Sequence, residues 1–238
     1  ADKIAILSGL AFGGSINRSN IPTTGINHLE AVDVNYARKL GYGIKLLAIS
    51  EKDKSPSKTE GSQPLSIWVE PTLVPEDNPL AGVNGVNNAI LVEGNPIGQV
   101  MFFGPGAGSG PTASAVVADI LNIAGIQSMS EDNIFNLDPL LSAKSWRNCH
   151  IAEKKQITKK NYIRLIAKDS PGVIGEIGTI FGKKKISIES IVQFDVTDEE
   201  AEIVVITHKI QQGQLEEALL EIKNLSQVKR IAATMGCL

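Results

Sequence analysis

The hydrophobic rhythm of the chain changes several times. From Ala1 to Gly13, Ile4, Leu7 and Ala11 fall on one helical face and Ile6 and Leu10 widen it, which predicts a helix buried on most sides. Gly13, Gly14 and the polar run to Thr24 end it. His28 to Leu40 predicts a second helix, stopped by Gly41. Then the period shortens. GIKLLAIS (Gly43 to Ser50) reads as a short buried strand, and after the polar loop EKDKSPSKTEGSQP the run LSIWVEPTLV alternates as a strand up to Pro71. Two apolar runs around Glu93-Gly94-Asn95-Pro96 predict a hairpin. MFFGPGAGSGPTASAVVADIL (Met101 to Leu121) reads as strand, glycine-rich turn and helix, with Pro111 and Thr112 opening the helix.

From Gln127 to Lys160 periodicity fades, and the charged run EKKQITKK (Glu153 to Lys160) reads as a solvated linker. The rest is regular. YIRLIAK alternates as a strand. Asp169 or Ser170 is the expected N-cap of the next helix, with Pro171 in its first turn and a stripe of Val173, Ile177, Ile180 and Phe181. ISIESIVQFDV and AEIVVITHKI are strands about a turn at Thr197 to Glu200, GQLEEALLEIKNL is an amphipathic helix, and VKRIAATMG closes as a strand. That order is βαββαβ, the ferredoxin-like arrangement. The expected class is α+β: a mixed-sheet domain followed by a ferredoxin-like domain.

Composition narrows the function. With 42% hydrophobic and 21% charged residues over 238 positions, the chain can build a core. A net charge of −3 gives no footprint for nucleic acid or an anionic membrane. No apolar run reaches transmembrane length, and no secretory signal pattern opens the chain. Cys149 and Cys237 stand far apart, and His28, His150 and His208 are scattered, so neither a disulfide framework nor a metal site is expected. A reducing cytoplasm or organelle stroma fits best, and the cytoplasm is the expected location. A first residue of Ala1 rather than Met suggests a processed or truncated piece of something longer.

Two features carry candidate chemistry. Gly104, Gly106, Gly108 and Gly110 with Pro111 either bring backbone amides close to a ligand at a helix start or simply turn the chain sharply. The dinucleotide spacing, with an acidic residue about 20 positions on, is not met, so this is not the opening unit of a Rossmann domain. Lys3 sits near a helix start. It is either a solvated surface lysine or, because the positive end of a helix disfavours an ammonium, a proton donor and acceptor.

ADKIAILSGLAFG, ARKLGYGIKLLAI, VEPTLVPEDNPLAGVNGVNNAILVEG and FFGPGAGSGPTASAVVADI together resemble homoserine dehydrogenase downstream of its cofactor-binding domain. DSPGVIGEIGTIFGKKKISIESIVQ, within 160–238, resembles an ACT regulatory domain. The resemblance implies a catalytic and dimerisation domain over 1–126 whose segment 104–126 returns to the cofactor domain, a linker over 127–159, and an ACT domain over 160–238. It implies NADP or NAD as cofactor, with Gly106, Ala107 and Gly108 as half of its site and Lys3 as the acid/base group. The substrates implied are homoserine and aspartate 4-semialdehyde, on the route to threonine and methionine. The other half of the site, on an N-terminal Rossmann domain, is absent from the chain, so the chain alone is expected to be inactive and to bind NADP(H) weakly or not at all. In the ACT domain, amides about Gly172 and Val173 would take the carboxylate of an effector, threonine, and Asp169 its ammonium; alternatively Asp169 or Ser170 only caps the helix. A homodimer is expected. The rival function is a non-catalytic amino-acid sensor and dimerisation module.

Overall fold

A computed structural model describes residues 1–52, 64–128, 147–197 and 200–238. Most of the polar loop after Ser50, residues 129–146 of the expected linker and the tip of the turn before Glu200 lie outside the described residues. In chain order the elements are α1 (Asp2–Phe12), β1 (Gly14–Ser15), α2 (Ala31–Lys39), β2 (Tyr42–Lys52) and β3 (Leu65–Pro75). Next come β4 (Asn87–Gly94), β5 (Gly98–Pro105), α3 (Ser109–Gln127) and β6 (Arg147–Asn148). The last stretch holds β7 (Thr158–Lys168), α4 (Val173–Lys183), β8 (Ile188–Thr197), β9 (Glu200–Thr207), β10 (Ile210–Gln211), α5 (Gln212–Lys223) and β11 (Val228–Cys237). They form two compact units, Ala1–Pro75 with Asn148–Leu238, and Glu76–Arg147.

The first unit is built on one sheet in the order β2-β3-β11-β7-β9-β8, with β10 beside β7. Its β11-β7-β9-β8 part is antiparallel and has the βαββαβ connectivity of a ferredoxin-like fold. The sheet does not stop at β11. β3 joins it in parallel through Thr72 opposite Gly236 and Leu73 opposite Cys237, so strands from the first third of the chain extend it. Alternation then decides what each face buries. Ile163, Leu165 and Ala167 of β7 and Ile203 and Val205 of β9 point toward Ile177, Phe181, Leu215 and Ile222 of α4 and α5. Each Ile, Leu, Val or Phe among them contributes about 1.5–3 kcal/mol by leaving water. The intervening Tyr162, Val204 and Ile206 face Tyr36 and Ala37 of α2. A third cluster sets Ile4, Ala5 and Phe12 of α1 against Leu65, Ile67 and Val69 of β3.

Three expectations need correction. α1 is buried on one side only: Ile6 is 64% and Leu10 48% exposed, since among the described residues no second layer covers the helix. β2 is half-buried rather than buried, because it is the edge strand of the sheet. β3 continues through Pro71 to Pro75. Pro71 lies between the bridge from Thr23 to Val69 and the start of the β11 ladder at Thr72, where a missing N–H is tolerated.

The second unit contains the expected hairpin, β4 against β5 from Asn87 opposite Pro105 to Gly94 opposite Gly98, followed by α3. Ile90, Val92, Phe102 and Phe103 of the hairpin are exposed, as are Val116, Val117, Ile120, Leu121 and Ile123 of α3. Among the described residues no helix is long and apolar enough to cross a membrane, and no three metal-binding side chains gather.

Candidate functional site

Where β7 gives way to α4, the chain makes a turn through Asp169, Ser170, Pro171 and Gly172. The helix does not begin at the expected cap. Gly172 is its N-cap, at φ +95°, a left-handed backbone that favours glycine, and no side chain caps the helix. Gly172 in that left-handed conformation cannot belong to a helical turn, so the helix starts only at Val173 although Ser170-Pro171 would suit a cap followed by a first helical residue. Asp169 is therefore free to reach sideways, and its Oδ1 accepts a hydrogen bond from Gln193 Nε2 of β8 at 2.9 Å.

These residues line a cavity of roughly 460 Å³. Asp169, Gly172 and Val173, the three residues expected to meet an effector, all border it, together with Gln193, Ala201 and Ile203. The first N–H groups of α4 have no partner within the helix. A carboxylate on one side, helix-start amides on another and an apolar wall of Val173, Ala201 and Ile203 match a small zwitterion: ammonium to Asp169, carboxylate to the amides.

The glycine turn belongs to the second unit. β5 ends at Pro105, Gly106 to Gly108 turn the chain, and α3 starts at Ser109 with Gly108 as N-cap. Gly106 N–H donates to the Val86 carbonyl at 3.1 Å. A Cβ on Gly106 would lie 1.6 Å from Asn88 Nδ2, so the Asn88 carboxamide occupies the space a side chain would need. Gly108 has φ +128°, closed to other residues without strain. Gly106, Ala107 and Gly108 are all exposed, beside the start of a helix.

Lys3 lies in the first turn of α1, in the first unit, and is exposed. Its neighbour Asp2 accepts a hydrogen bond from Arg18 Nε at 3.0 Å.

Sequence reasoning missed a polar cluster on the α2 face of the sheet. Arg164 of β7 is fully buried. It donates to Asp33 Oδ1 through Nε at 2.7 Å and to Asp33 Oδ2 through Nη2 at 3.1 Å. It also donates to Glu30 at 2.9 Å and to Glu202 at 3.3 Å. Tyr162 donates to Asp33 at 3.2 Å. Burial opposes the charge on Arg164, but the hydrogen bonds to Asp33 and Glu30 more than offset it. The same bonds, with those from Arg230, hold the Glu30 carboxyl below its usual range. Burial and the Glu202 carboxylate push the Tyr36 hydroxyl up to about 12. The available signal was a lone charge inside the apolar run YIRLIAK. The charged run at Glu153 to Lys160 also does more than face water. Lys159 is largely buried, paired with Glu70, and burial lowers its ammonium below the ordinary lysine value.

The ferredoxin-like sheet carries this cavity at its first strand-to-helix turn, and residues 161–227 match the ACT domain family. Residues 1–121 match the homoserine dehydrogenase family. The chain belongs to the homoserine dehydrogenase family. It is 48% identical over 238 residues to a homoserine dehydrogenase of Synechocystis, covering 100% of this chain and 54% of that protein. A homoserine dehydrogenase of Neisseria gonorrhoeae is 37% identical over 230 residues, covering 96% of this chain and 51% of its own length. The crystal structure of a homoserine dehydrogenase from Thiobacillus denitrificans superposes with a TM-score of 0.84 at 32% identity, covering 99% of this chain and 52% of that one. The chain thus spans about half the length of the curated relatives it matches.

Proposed function

We propose that this chain forms part of an oxidoreductase that interconverts homoserine and aspartate 4-semialdehyde, on the route to threonine and methionine, and that its ACT domain senses threonine. Membership of the homoserine dehydrogenase family over residues 1–121 carries the reading. A nicotinamide dinucleotide, NADP or NAD, supplies and takes up the hydride. Lys3 delivers a proton to the aldehyde oxygen as the alcohol forms and removes it in the reverse direction. Its exposure at the opening turn of α1 supports that role, because the group must reach a substrate oxygen. The exposed turn of Gly106, Ala107 and Gly108 at the start of α3 fits the phosphates of the dinucleotide, with the amides of Ala107 and Gly108 toward them and the Gly106 N–H held by the Val86 carbonyl.

In the ACT domain, Asp169 holds the effector's ammonium while the amides about Gly172 and Val173 hold its carboxylate. The exposed apolar hairpin of β4 and β5 supports assembly into a homodimer or higher homo-oligomer, since such a patch is rarely left to water. Two unpaired cysteines, Cys149 and Cys237, accord with the cytoplasm.

The test is a chimera in which residues 1–238 replace the matching half of the Synechocystis relative. Oxidation of NADPH with aspartate 4-semialdehyde is expected. A folded chimera that binds NADPH but does not turn over would overturn the reading.

A further inference from the structure

We propose that helix α2 reads the occupancy of the Asp169 cavity, through two strands that line the cavity on one face of the sheet and grip α2 on the other. The proposal rests on the reading of that cavity as an amino-acid site.

Alternation along β8 and β9 makes the link. On β8, Gln193 lines the cavity and donates to Asp169 at 2.9 Å. The next residue, Phe194, stacks on Tyr36 of α2, with ring centroids 4.1 Å apart and planes at 8°. On β9, Ala201 and Ile203 line the cavity, and Glu202 between them accepts from Arg164 at 3.3 Å. Gln193 pairs with Ile203, and Phe194 with Glu202, across the ladder. Each cavity residue on these strands is thus covalently next to a residue that holds α2.

The grip on α2 is stiff. Asp33 is fully buried and binds Arg164 through both of its oxygens. Glu30, at the helix start, ties α2 to Arg164 of β7 at 2.9 Å and to Arg230 of β11 at 3.2 Å. At the other end, Lys39 Nζ sits 5.2 Å from the Phe194 ring centre. A buried guanidinium with three carboxylates has few alternative arrangements of comparable energy, so a displacement of β8 and β9 is passed on rather than absorbed.

Binding supplies the displacement. An incoming ammonium competes with Gln193 for the Asp169 carboxylate, and the released carboxamide must find a new partner or draw β8 with it. The strand shift then reaches α2 through Phe194 and Glu202. Upstream of α2 the chain leads back to Arg18, which pairs with Asp2 beside Lys3. Coupling of this kind is reciprocal: whatever effector binding does to the grip on α2, loosening the grip must do to effector affinity by the same factor.

Hydrogen–deuterium exchange on the 238-residue chain, with and without L-threonine at several millimolar, tests the proposal. The expected result is slower exchange in the first turn of α4 and, with it, a changed rate across Ala31–Lys39. In Tyr36→Leu, a residue outside the cavity, the α4 response stays, the α2 response goes, and the Kd for threonine shifts about fivefold or more. Phe194→Leu, which removes the same ring stack and leaves the ion cluster whole, serves if Tyr36→Leu does not fold. Protection at α4 with an unchanged α2 in the wild-type chain overturns the proposal and leaves the amino-acid site intact. Silence at both α4 and α2 overturns the amino-acid site, and the proposal with it.

Discussion

Removing the Asp33 carboxylate takes away the paired contacts of a buried guanidinium, at 2.7 and 3.1 Å, and frees the Tyr162 hydroxyl at 3.2 Å. It also removes the acceptor for the Glu30 N–H at the start of α2, at 3.0 Å. What remains for Arg164 is Glu202 at 3.3 Å and Glu30 at 2.9 Å, the latter with a side chain 43% exposed. Breaking a buried ion pair from one side costs about 3–5 kcal/mol, because the remaining charge stays out of water. Against a domain stability of about 5–15 kcal/mol, Asp33→Ala should bring the first unit close to its unfolding threshold. Urea unfolding followed by Trp68 fluorescence in a Trp146→Phe background reads this, since Trp68 lies buried in β3 of the same unit. With a slope of about 1–3 kcal/mol per molar urea, the midpoint should fall by about 2 M. Glu30→Gln is the internal comparison. Its half-open side chain is screened by water, and its loss should cost less than about 1 kcal/mol. If Asp33→Ala costs no more than Glu30→Gln, the guanidinium is being satisfied by water or by Glu202 and Glu30 without Asp33, and the account of the α2 grip is wrong.

Burial pushes the Cys237 thiol from about 9 up to about 11, so the folded chain keeps a proton that the unfolded chain sheds. That contribution, about 2–3 kcal/mol at most, is full below pH 9 and is lost as pH rises through about 11; calorimetric Tm against pH should fall less steeply there in Cys237→Ala, and an unchanged slope would refute it. Asp169→Ala should weaken threonine binding at least tenfold by calorimetry, since a charge-assisted bond is worth about 1.5–3 kcal/mol, and undiminished affinity would remove Asp169 from the site. Gly106→Ala must displace the Asn88 carboxamide, so it should raise the KM for NADPH in the chimera, with Asn88→Gly restoring part of the loss; an unaltered KM would show that the turn is not the cofactor's.

The βαββαβ order was legible because periods of 2 and 3.6 alternate cleanly after Lys160 and because the helix stripe of Val173, Ile177, Ile180 and Phe181 is unbroken. The start of α4 was misplaced because Asp169 and Ser170 are good caps by type and Pro171 suits a first turn, whereas the left-handed backbone that Gly172 adopts is permitted by glycine but not demanded by it. The exposure of α1 and β2 was not legible, because an apolar run fixes its own length and period, not whether a neighbour covers it. Long-range polar pairs were equally hidden. Arg164 is a charge inside an apolar strand, a signal that went unread, and Asp33 lies 131 residues away, as Glu70 lies 89 residues from Lys159. Within the cavity, Asp169, Gly172 and Val173 were anticipated, while Gln193 was not, since nothing in β8 marks which residue faces the turn. Gly106 was visible as a glycine, but the Asn88 side chain filling its place sits on the facing strand.

The most direct measurement is steady-state turnover of aspartate 4-semialdehyde by the chimera carrying Lys3→Ala. If Lys3 moves the proton at the reacting oxygen, kcat should fall by about 10²–10⁴-fold while the KM for NADPH stays within about twofold. A kcat within about threefold of the unsubstituted chimera would contradict the assignment of Lys3 and, with it, the catalytic reading of residues 1–121.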